Sequence, residues 1–324
     1  MTLRVLVPQR IAPEGLALLE AAGHVVVEPS GTDIPTLRKY ISTCQAVLTR
    51  TLPLPREVLE AAPDLKVISR HGVGVDHIDL GYCREQNITV TNAPEANIVA
   101  VAEHALTLLL VLTKNLIACD TELRRGNFEA RNSLYGIEVA NKTLGVVGLG
   151  KIGQAVAVRA AIGLGMNIVG FDPYVDTTNL DPAITPVSLE VLLATADVVT
   201  VHVPLTPATR RLFDATRFDS MKQGSYFINC SRGEVVDEKA LENALLSGRL
   251  RGAGLDVFEQ EPLPVGHPLT RLPNVLLTPH MAAHNNESMI RMAVHAAQGI
   301  IAVAEGREPQ WPVGLPNDQP TAKG

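Results

Sequence analysis

Short β-branched and apolar runs alternate with segments of helical periodicity along the whole chain, the pattern of α/β layers on parallel sheets. In the first hundred residues these runs predict strands at Leu3–Val7, His24–Glu28, Ala46–Thr49, Lys66–Ser69 and Thr89–Thr91, with helices between several of them. Asp79 is placed to cap one such helix, Leu80–Gln86. A long helix is predicted from Ile98 to Leu123, then a polar stretch holding Gly126 and Gly136. A second series predicts strands Leu144–Val147, Asn167–Phe171, Val198–His202, Tyr226–Asn229, Gly254–Val257 and Val275–Leu277. A last helix, Ser288–Glu305, precedes a Pro- and Gly-containing tail expected to be mobile. No repeat of solenoid period is present; the only repetition is two α/β domains in tandem.

Composition narrows the class. The 324 residues are 46% hydrophobic and 19% charged, which is globular rather than disordered. A net charge of −6 without a long basic run argues against nucleic acid or an anionic membrane as main partner. Cys44, Cys83, Cys119 and Cys230 form no Cys-x-x-Cys pair, so neither a zinc knuckle nor a redox motif is indicated. The chain opens on an alternating segment rather than a leader, and the apolar stretch Ile98–Ile117 is interrupted by Glu103, His104 and Lys114. A cytoplasmic protein is expected.

The sharpest local signal is Gly148-Leu149-Gly150-Lys151-Ile152-Gly153. A Gly-x-Gly-x-x-Gly string alone occurs in many loops. Here it follows a predicted strand, opens a predicted helix (Lys151–Ile162), and a second strand then runs to Asp172, 19 residues past Gly153. That is the context of a dinucleotide fingerprint. Gly148 allows the tight turn, Gly150 lets backbone approach a pyrophosphate, and Gly153 lets helix and strand close. Asp172 would accept hydrogen bonds from ribose hydroxyls and repel a 2′-phosphate, which favours NAD over NADP.

Ligands of open α/β sheets bind beyond the carboxyl ends of the strands. Successive predicted ends carry Asp172, then His202 and Pro204, then Cys230, Ser231 and Arg232, then Asp256 with Glu261 nearby, then His280. A guanidinium, carboxylates and imidazoles converging there are the parts needed for acid–base chemistry on an anionic substrate.

With these motifs in this order, the chain resembles the D-isomer-specific 2-hydroxyacid dehydrogenases, a family that includes phosphoglycerate, glyoxylate/hydroxypyruvate and D-lactate dehydrogenases. The resemblance rests on Arg70-His71-Gly72-Val73-Gly74-Val75-Asp76-His77-Ile78-Asp79, on Glu103-His104, and on the glycine fingerprint with Asp172. It continues through His202 to Thr206, Asn229 to Gly233, Asp256 to Pro262, and Thr278-Pro279-His280. It implies two α/β domains with parallel sheets. One is a Rossmann NAD-binding domain over residues 99–281; the other is a smaller flavodoxin-like substrate domain, 1–98, completed by 282–324. The chain would cross between them near Asn97 and Pro279, making a hinge that closes over substrate.

The implied reaction moves a hydride between NAD and C2 of a small D-2-hydroxy or 2-keto acid. The resemblance assigns Arg232 to a bidentate grip on the substrate carboxylate, for which its planar fork is suited. His280 would exchange the C2 hydroxyl proton, and Glu261 would orient the imidazole and stabilise its protonated form. To the cofactor it assigns Gly148, Gly150, Lys151, Ile152, Gly153 and Asp172. His202, Pro204, Thr209, Cys230 and Ser231 line it further, with Arg232, Asp256, His280 and Ala283. Gly72, Val73, Gly74 and Asn97 would meet the substrate carboxylate. Arg50 would reach a distal anion, as phosphoglycerate-type members use an arginine near the substrate phosphate. No metal is expected, and a homodimer would form on the 98–123 helix.

Three departures from the family pattern stand out. Phe128 replaces a frequent tryptophan, Val73 replaces a threonine of some phosphoglycerate enzymes, and Met281-Ala282-Ala283-His284 follows His280 in place of a glycine-containing turn. Blander readings stand beside the assignments. His280 and His284 are spaced like metal ligands but lack a third, Cys230 and Ser231 lack a neighbouring base, and His104 reads as a residue that packs or caps its helix. Glu259 is close enough to Glu261 to be confused with it. Among substrates the phosphoglycerate-like reading leads, with hydroxypyruvate/glyoxylate reduction as the alternative. An NAD(H)-sensing binding protein is the alternative from another class. The chain ends 44 residues after His280, so no C-terminal regulatory domain is expected.

Overall fold

The computed structural model describes residues 1–314, which form two compact units: Met1–Asn97 with the segment from His284, and Ile98–Ala283. In the first unit, β1 (Arg4–Leu6), β2 (Val25–Val27), β3 (Ala46–Thr49), β4 (Val67–Arg70) and β5 (Thr89–Thr91) make a parallel sheet in the order β2-β1-β3-β4-β5. This is the flavodoxin-like order. Helices cover both faces, so β3 reads Ala-Val-Leu-Thr and all four residues are buried. Leu37, Ile41, Val58 and Leu59 pack on one face. Ala293, Ala296, Ala297 and Ile300 of the helix Asn286–Ala304 pack on the other. Gly15 lets this helix dock, since a Cβ there would lie 2.8 Å from Ala293. The register pairs Thr49 with Arg70, which sets Arg50 and His71 just past adjoining strand ends. The tail expected to be mobile lies, from residue 315 onward, outside the described residues.

In the second unit, β6 (Thr143–Val147), β7 (Asn167–Phe171), β8 (Ile184–Pro186), β9 (Val198–Val201), β10 (Ser225–Asn229), β11 (Leu250–Leu255) and β12 (Val275–Leu277) are again all parallel. Their order is β12-β11-β10-β9-β6-β7-β8, the doubly wound arrangement with one added strand. Chain direction across the sheet reverses between β6 and β9, which makes the ends of these two strands the switch point. Phe213, Phe218 and Phe227 cluster on one face with centroids 4.9 to 5.9 Å apart. Ala102, Ala105, Leu108, Val156, Ala157 and Ala160 cover the other.

Three elements differ from expectation. The predicted helix 98–123 is two helices, Ile98–Thr113 and Leu116–Arg124, bent by 59°. Asn115 takes φ +52 at the break, and Thr113 O accepts Ile137 N–H at 2.8 Å instead of continuing a helix. Periodicity missed the break because apolar residues continue on both sides of it. No single helix among the described residues is long and apolar enough to cross a membrane. Strand β11 begins at Leu250, not Gly254. Its glycines look like strand breakers, yet they admit close neighbours: a Cβ on Gly254 would lie 3.0 Å from Leu108. The edge strand β8 was not anticipated, being three residues long and ending in proline.

Candidate active site

The glycine loop joins β6 to the helix Lys151–Leu164. Gly148 has φ +94, and a Cβ on it would lie 2.6 Å from His202 O, so glycine alone lets the ends of β6 and β9 meet. At Gly153 a Cβ would lie 1.9 Å from Gly148 O, which explains how the helix starts against the strand. Gly150 is different. No protein atom lies within 4 Å of its missing Cβ, so the protein itself does not require glycine there, and the open space suits a bound group. Lys151 and Ile152 open the helix, where first-turn N–H groups lack helical acceptors. Asp172 is fastened beside them: its Oδ2 accepts Leu149 N–H (2.8 Å) and its Oδ1 accepts Tyr174 N–H (2.9 Å). An amide-rich helix start, an open glycine and a fixed carboxylate fit the pyrophosphate and ribose of a dinucleotide.

Past β9, His202 Nε2 lies 2.9 Å from Thr200 Oγ1, and burial pushes the imidazole down to about 4, so it is neutral at pH 7. Pro204 O accepts the Thr209 hydroxyl at 2.6 Å, and Thr206 N–H donates to Thr209 Oγ1 at 2.8 Å, which closes the 204–209 loop. Past β10, Ser231 clasps Asn229 Oδ1 through both its hydroxyl (2.7 Å) and its N–H (2.9 Å). Burial, with Asp256 adding, pushes the Cys230 thiol well above its ordinary value. Neither group is activated as a nucleophile.

Arg232 follows directly. Asn229 Nδ2 donates to its carbonyl and its own Nη1 donates to Ser231 O, at 2.8 and 2.7 Å. Gly233 lets the loops after β10 and β11 touch: a Cβ there would lie 1.9 Å from the Phe258 carbonyl carbon. Glu261 Oε1 accepts Phe258 N–H (3.0 Å), and Oε2 pairs with His280 Nδ1 (2.7 Å). Burial pushes the Glu261 carboxyl up, but His280, the Phe258 amide and the Arg232 charge outweigh it and hold it below its ordinary value. The ionised carboxylate makes Nδ1 the hydrogen-bearing nitrogen, so Nε2 is the one that gains or loses a proton. Glu259 is otherwise engaged, accepting Arg211 Nη2 at 3.1 Å.

His280 adopts φ +48, the left-handed region. Its N–H donates to Asp256 O at 2.8 Å. The buried Asp256 carboxylate accepts the Thr278 hydroxyl (2.6 Å), Met281 N–H (2.9 Å) and Ala282 N–H (2.8 Å). Burial pushes this carboxyl up, yet His104, Thr278 and the two amides outweigh it and keep it below its ordinary value. Ala283 closes the unit just beyond this turn. His104, read from sequence as packing or capping its own helix, instead places Nε2 3.0 Å from Thr278 Oγ1. The two residues are 174 apart in sequence, and no local pattern signals their meeting.

In the first unit, the loop after β4 wraps around Arg70, another residue whose part the sequence did not reveal. Arg70 Nε donates to Gly74 O (2.8 Å) and Nη1 to His71 O, while Gly72 O accepts Ala93 N–H and Val73 O accepts Asn92 Nδ2, both at 2.8 Å. Gly72 needs its φ of +133, and a Cβ on it would strike the Arg70 guanidinium. The His71 and Gly72 N–H groups are taken by Thr49 O (2.8 Å) and Arg70 O (2.9 Å), so among the described residues the Val73 and Gly74 N–H groups are the ones without a backbone acceptor. Asn97 is buried, and its Oδ1 has no hydrogen-bond partner among the described residues. Arg50 Nη1 donates to Arg10 O at 3.0 Å and Nη2 lies 3.4 Å from His284 Nε2. Burial, with Arg50 and Arg70 adding, lowers His71 to about 4.

The second unit, with its reversed sheet order, glycine loop and acidic β7 end, is that of a dinucleotide-binding α/β protein. Residues 106–282 match the family model for the D-isomer specific 2-hydroxyacid dehydrogenase, NAD binding domain, and the chain belongs to this family. It is similar to D-3-phosphoglycerate dehydrogenase of Archaeoglobus fulgidus, 36% identical over 98% of the chain and 60% of that enzyme. It thus spans about three fifths of that relative's length. It is 41% identical to glyoxylate reductase of Thermofilum pendens, over 93% of the chain and 91% of the reductase. The solved structure of the TT0316 protein from Thermus thermophilus superposes with a TM-score of 0.89 at 39% identity, covering 96% of this chain and 100% of that one.

Proposed function

We propose that the protein is an NAD-dependent dehydrogenase that interconverts a small D-2-hydroxy acid and its 2-keto acid. The observation that carries this reading is the His280–Glu261 pair, with its Nε2 end available for a proton and Arg232 close enough to act on the carboxylate. When bound, the nicotinamide supplies the hydride acceptor or donor. The Gly148–Gly153 loop would hold the pyrophosphate and Asp172 the ribose, with residues 202–209, Cys230 and Ser231 bordering the cofactor. His280 Nε2 takes the hydroxyl proton during oxidation and returns it to the carbonyl oxygen during reduction. Glu261 stabilises the imidazolium between these events. Arg232 grips the substrate carboxylate and polarises the C2 oxygen. In the first unit, the Val73 and Gly74 amides and the Asn97 Nδ2 donor are suited to a carboxylate.

For the substrate, a phosphoglycerate-type distal anion would fall to Arg50, a half-buried guanidinium beyond β3. A second reading, glyoxylate or hydroxypyruvate reduction, is favoured by the near-full-length match to a glyoxylate reductase. A panel of 2-keto acids with NADH, followed by loss of NADH absorbance, tests the reaction. 3-Phosphohydroxypyruvate should exceed hydroxypyruvate about thirtyfold in kcat/KM if Arg50 makes a charge-assisted contact. Arg50→Ala should then abolish the preference and spare glyoxylate. Equal rates with a silent Arg50→Ala would move the assignment to the reductase. A homodimer is supported by Val99, Leu116, Ile117, Leu123 and Phe128, all exposed along the paired helices and the turn after them. Four free thiols suit a reducing compartment such as the cytoplasm.

A further inference from the structure

We infer that His104 is a positioning residue for the acid/base histidine, acting through Thr278 and Asp256 on the turn that presents His280; this rests on the role proposed above for His280. The Thr278 hydroxyl has one hydrogen and two neighbours, Asp256 Oδ1 at 2.6 Å and His104 Nε2 at 3.0 Å. An ionised carboxylate only accepts, so the hydroxyl donates to Asp256. Its lone pair then accepts from His104, which must carry its hydrogen on Nε2. The protons are therefore ordered in one direction, from His104 through Thr278 to Asp256.

The receiving carboxylate fixes the turn on both sides of His280. Thr278 precedes it, and the Met281 and Ala282 amides that bind Asp256 follow it. The His280 amide itself donates to the Asp256 carbonyl. His280 holds a left-handed backbone that a residue with a side chain rarely adopts, so its presentation depends on these fastenings. His104 Nε2 also lies 3.5 Å from Asp256 Oδ1, directly beside that buried charge. Without it, the Thr278 hydroxyl is free to turn away from Asp256, and the bond from His280 Nδ1 to Glu261 loses its fixed base.

The test compares His104→Leu, His104→Gln and Thr278→Val in the full chain. In His104→Leu and Thr278→Val, kcat on the best 2-keto acid should fall about tenfold, the scale of a small misplacement of a reacting group. NADH affinity, read by fluorescence, should stay within about twofold of wild type, since the cofactor loop is untouched. His104→Gln keeps an N–H donor and should recover most of the loss. Independently of activity, amide hydrogen exchange at Met281 and Ala282 should quicken in His104→Leu and Thr278→Val but not in His104→Gln. Unchanged exchange over residues 278–282 in His104→Leu overturns the inference. So does a fall in NADH affinity that matches the fall in kcat with no rescue by glutamine. An inactive wild type, or an active His280→Ala, would instead overturn the proposed reaction, and the exchange data would still decide the role of His104.

Discussion

Two carboxylate–imidazole pairs sit at the carboxyl ends of β11 and β12, and burial separates their roles. In Glu261–His280 the side chains keep 36% and 43% of their surface, and the nitrogens and oxygens meet directly. In Asp256–His104 they keep 1% and 17%, and a hydroxyl stands between them. A proton can be exchanged with a ligand only where the imidazole is reachable, so the first pair suits chemistry. The second has its carboxylate saturated by protein donors, so it serves as a brace. The same two functional groups thus do different work according to which atoms can still be reached.

The largest effect should come from breaking the exposed pair. His280→Ala is expected to lower kcat by about 10²–10⁴ while NADH still binds. A variant keeping more than about half the activity would remove His280 from the acid/base role. Breaking the brace should show in stability. Asp256→Ala leaves the Thr278 hydroxyl and two amides without an acceptor and should cost about 3–5 kcal/mol in urea unfolding. Glu261→Ala, with its partner open to water, should cost less than about 1 kcal/mol. Equal losses in the two variants would erase the distinction drawn between the pairs.

Acid sharpens the contrast further. Both carboxyls sit below their ordinary values, so the stability they contribute is present above the ordinary carboxylate range and is lost as pH falls through the folded-state values. His71 has the opposite sign of charge and the same direction of effect. Its folded value, about 4 against 6.5 in an open chain, means that the unfolded state takes up the proton first. Stability should therefore drop between about pH 6.5 and pH 4, by at most about 3 kcal/mol for this group. His71→Gln should flatten that part of a pH–stability curve, and a curve of unchanged slope would count against a buried neutral imidazole. A further, modest effect concerns the carboxylate fixed beside the glycine loop. NAD(H) should exceed NADP(H) by at least about tenfold in kcat/KM, roughly 1.4 kcal/mol, and Asp172→Ala should narrow the gap by weakening NAD. Equal use of both cofactors by the wild type would sink this assignment.

Much of the molecule was legible one residue at a time. The strands Ala46–Thr49, Thr89–Thr91, Asn167–Phe171 and Val275–Leu277 follow from local runs of β-branched and apolar residues, of which Ala46–Thr49 is buried at every position. Gly148 and Gly153 could be read from the fingerprint, since each glycine answers a steric demand set by its own turn. The order of the motifs along the chain also carries the family resemblance by itself.

Sequence alone therefore determined the α/β class, the glycine loop with Asp172 and the order of functional groups at the strand ends, all of them encoded in periodicity and short spacing. Tertiary structure decided the rest. The 59° break at Lys114–Asn115, the coil of the 71–74 loop around Arg70, and the chain from His104 to Asp256 depend on contacts between distant segments. It also decided which carboxylate is a brace and which a chemical partner. Aspartate and glutamate differ by one methylene, and only the packing around them sets which donors reach each oxygen and how much water remains.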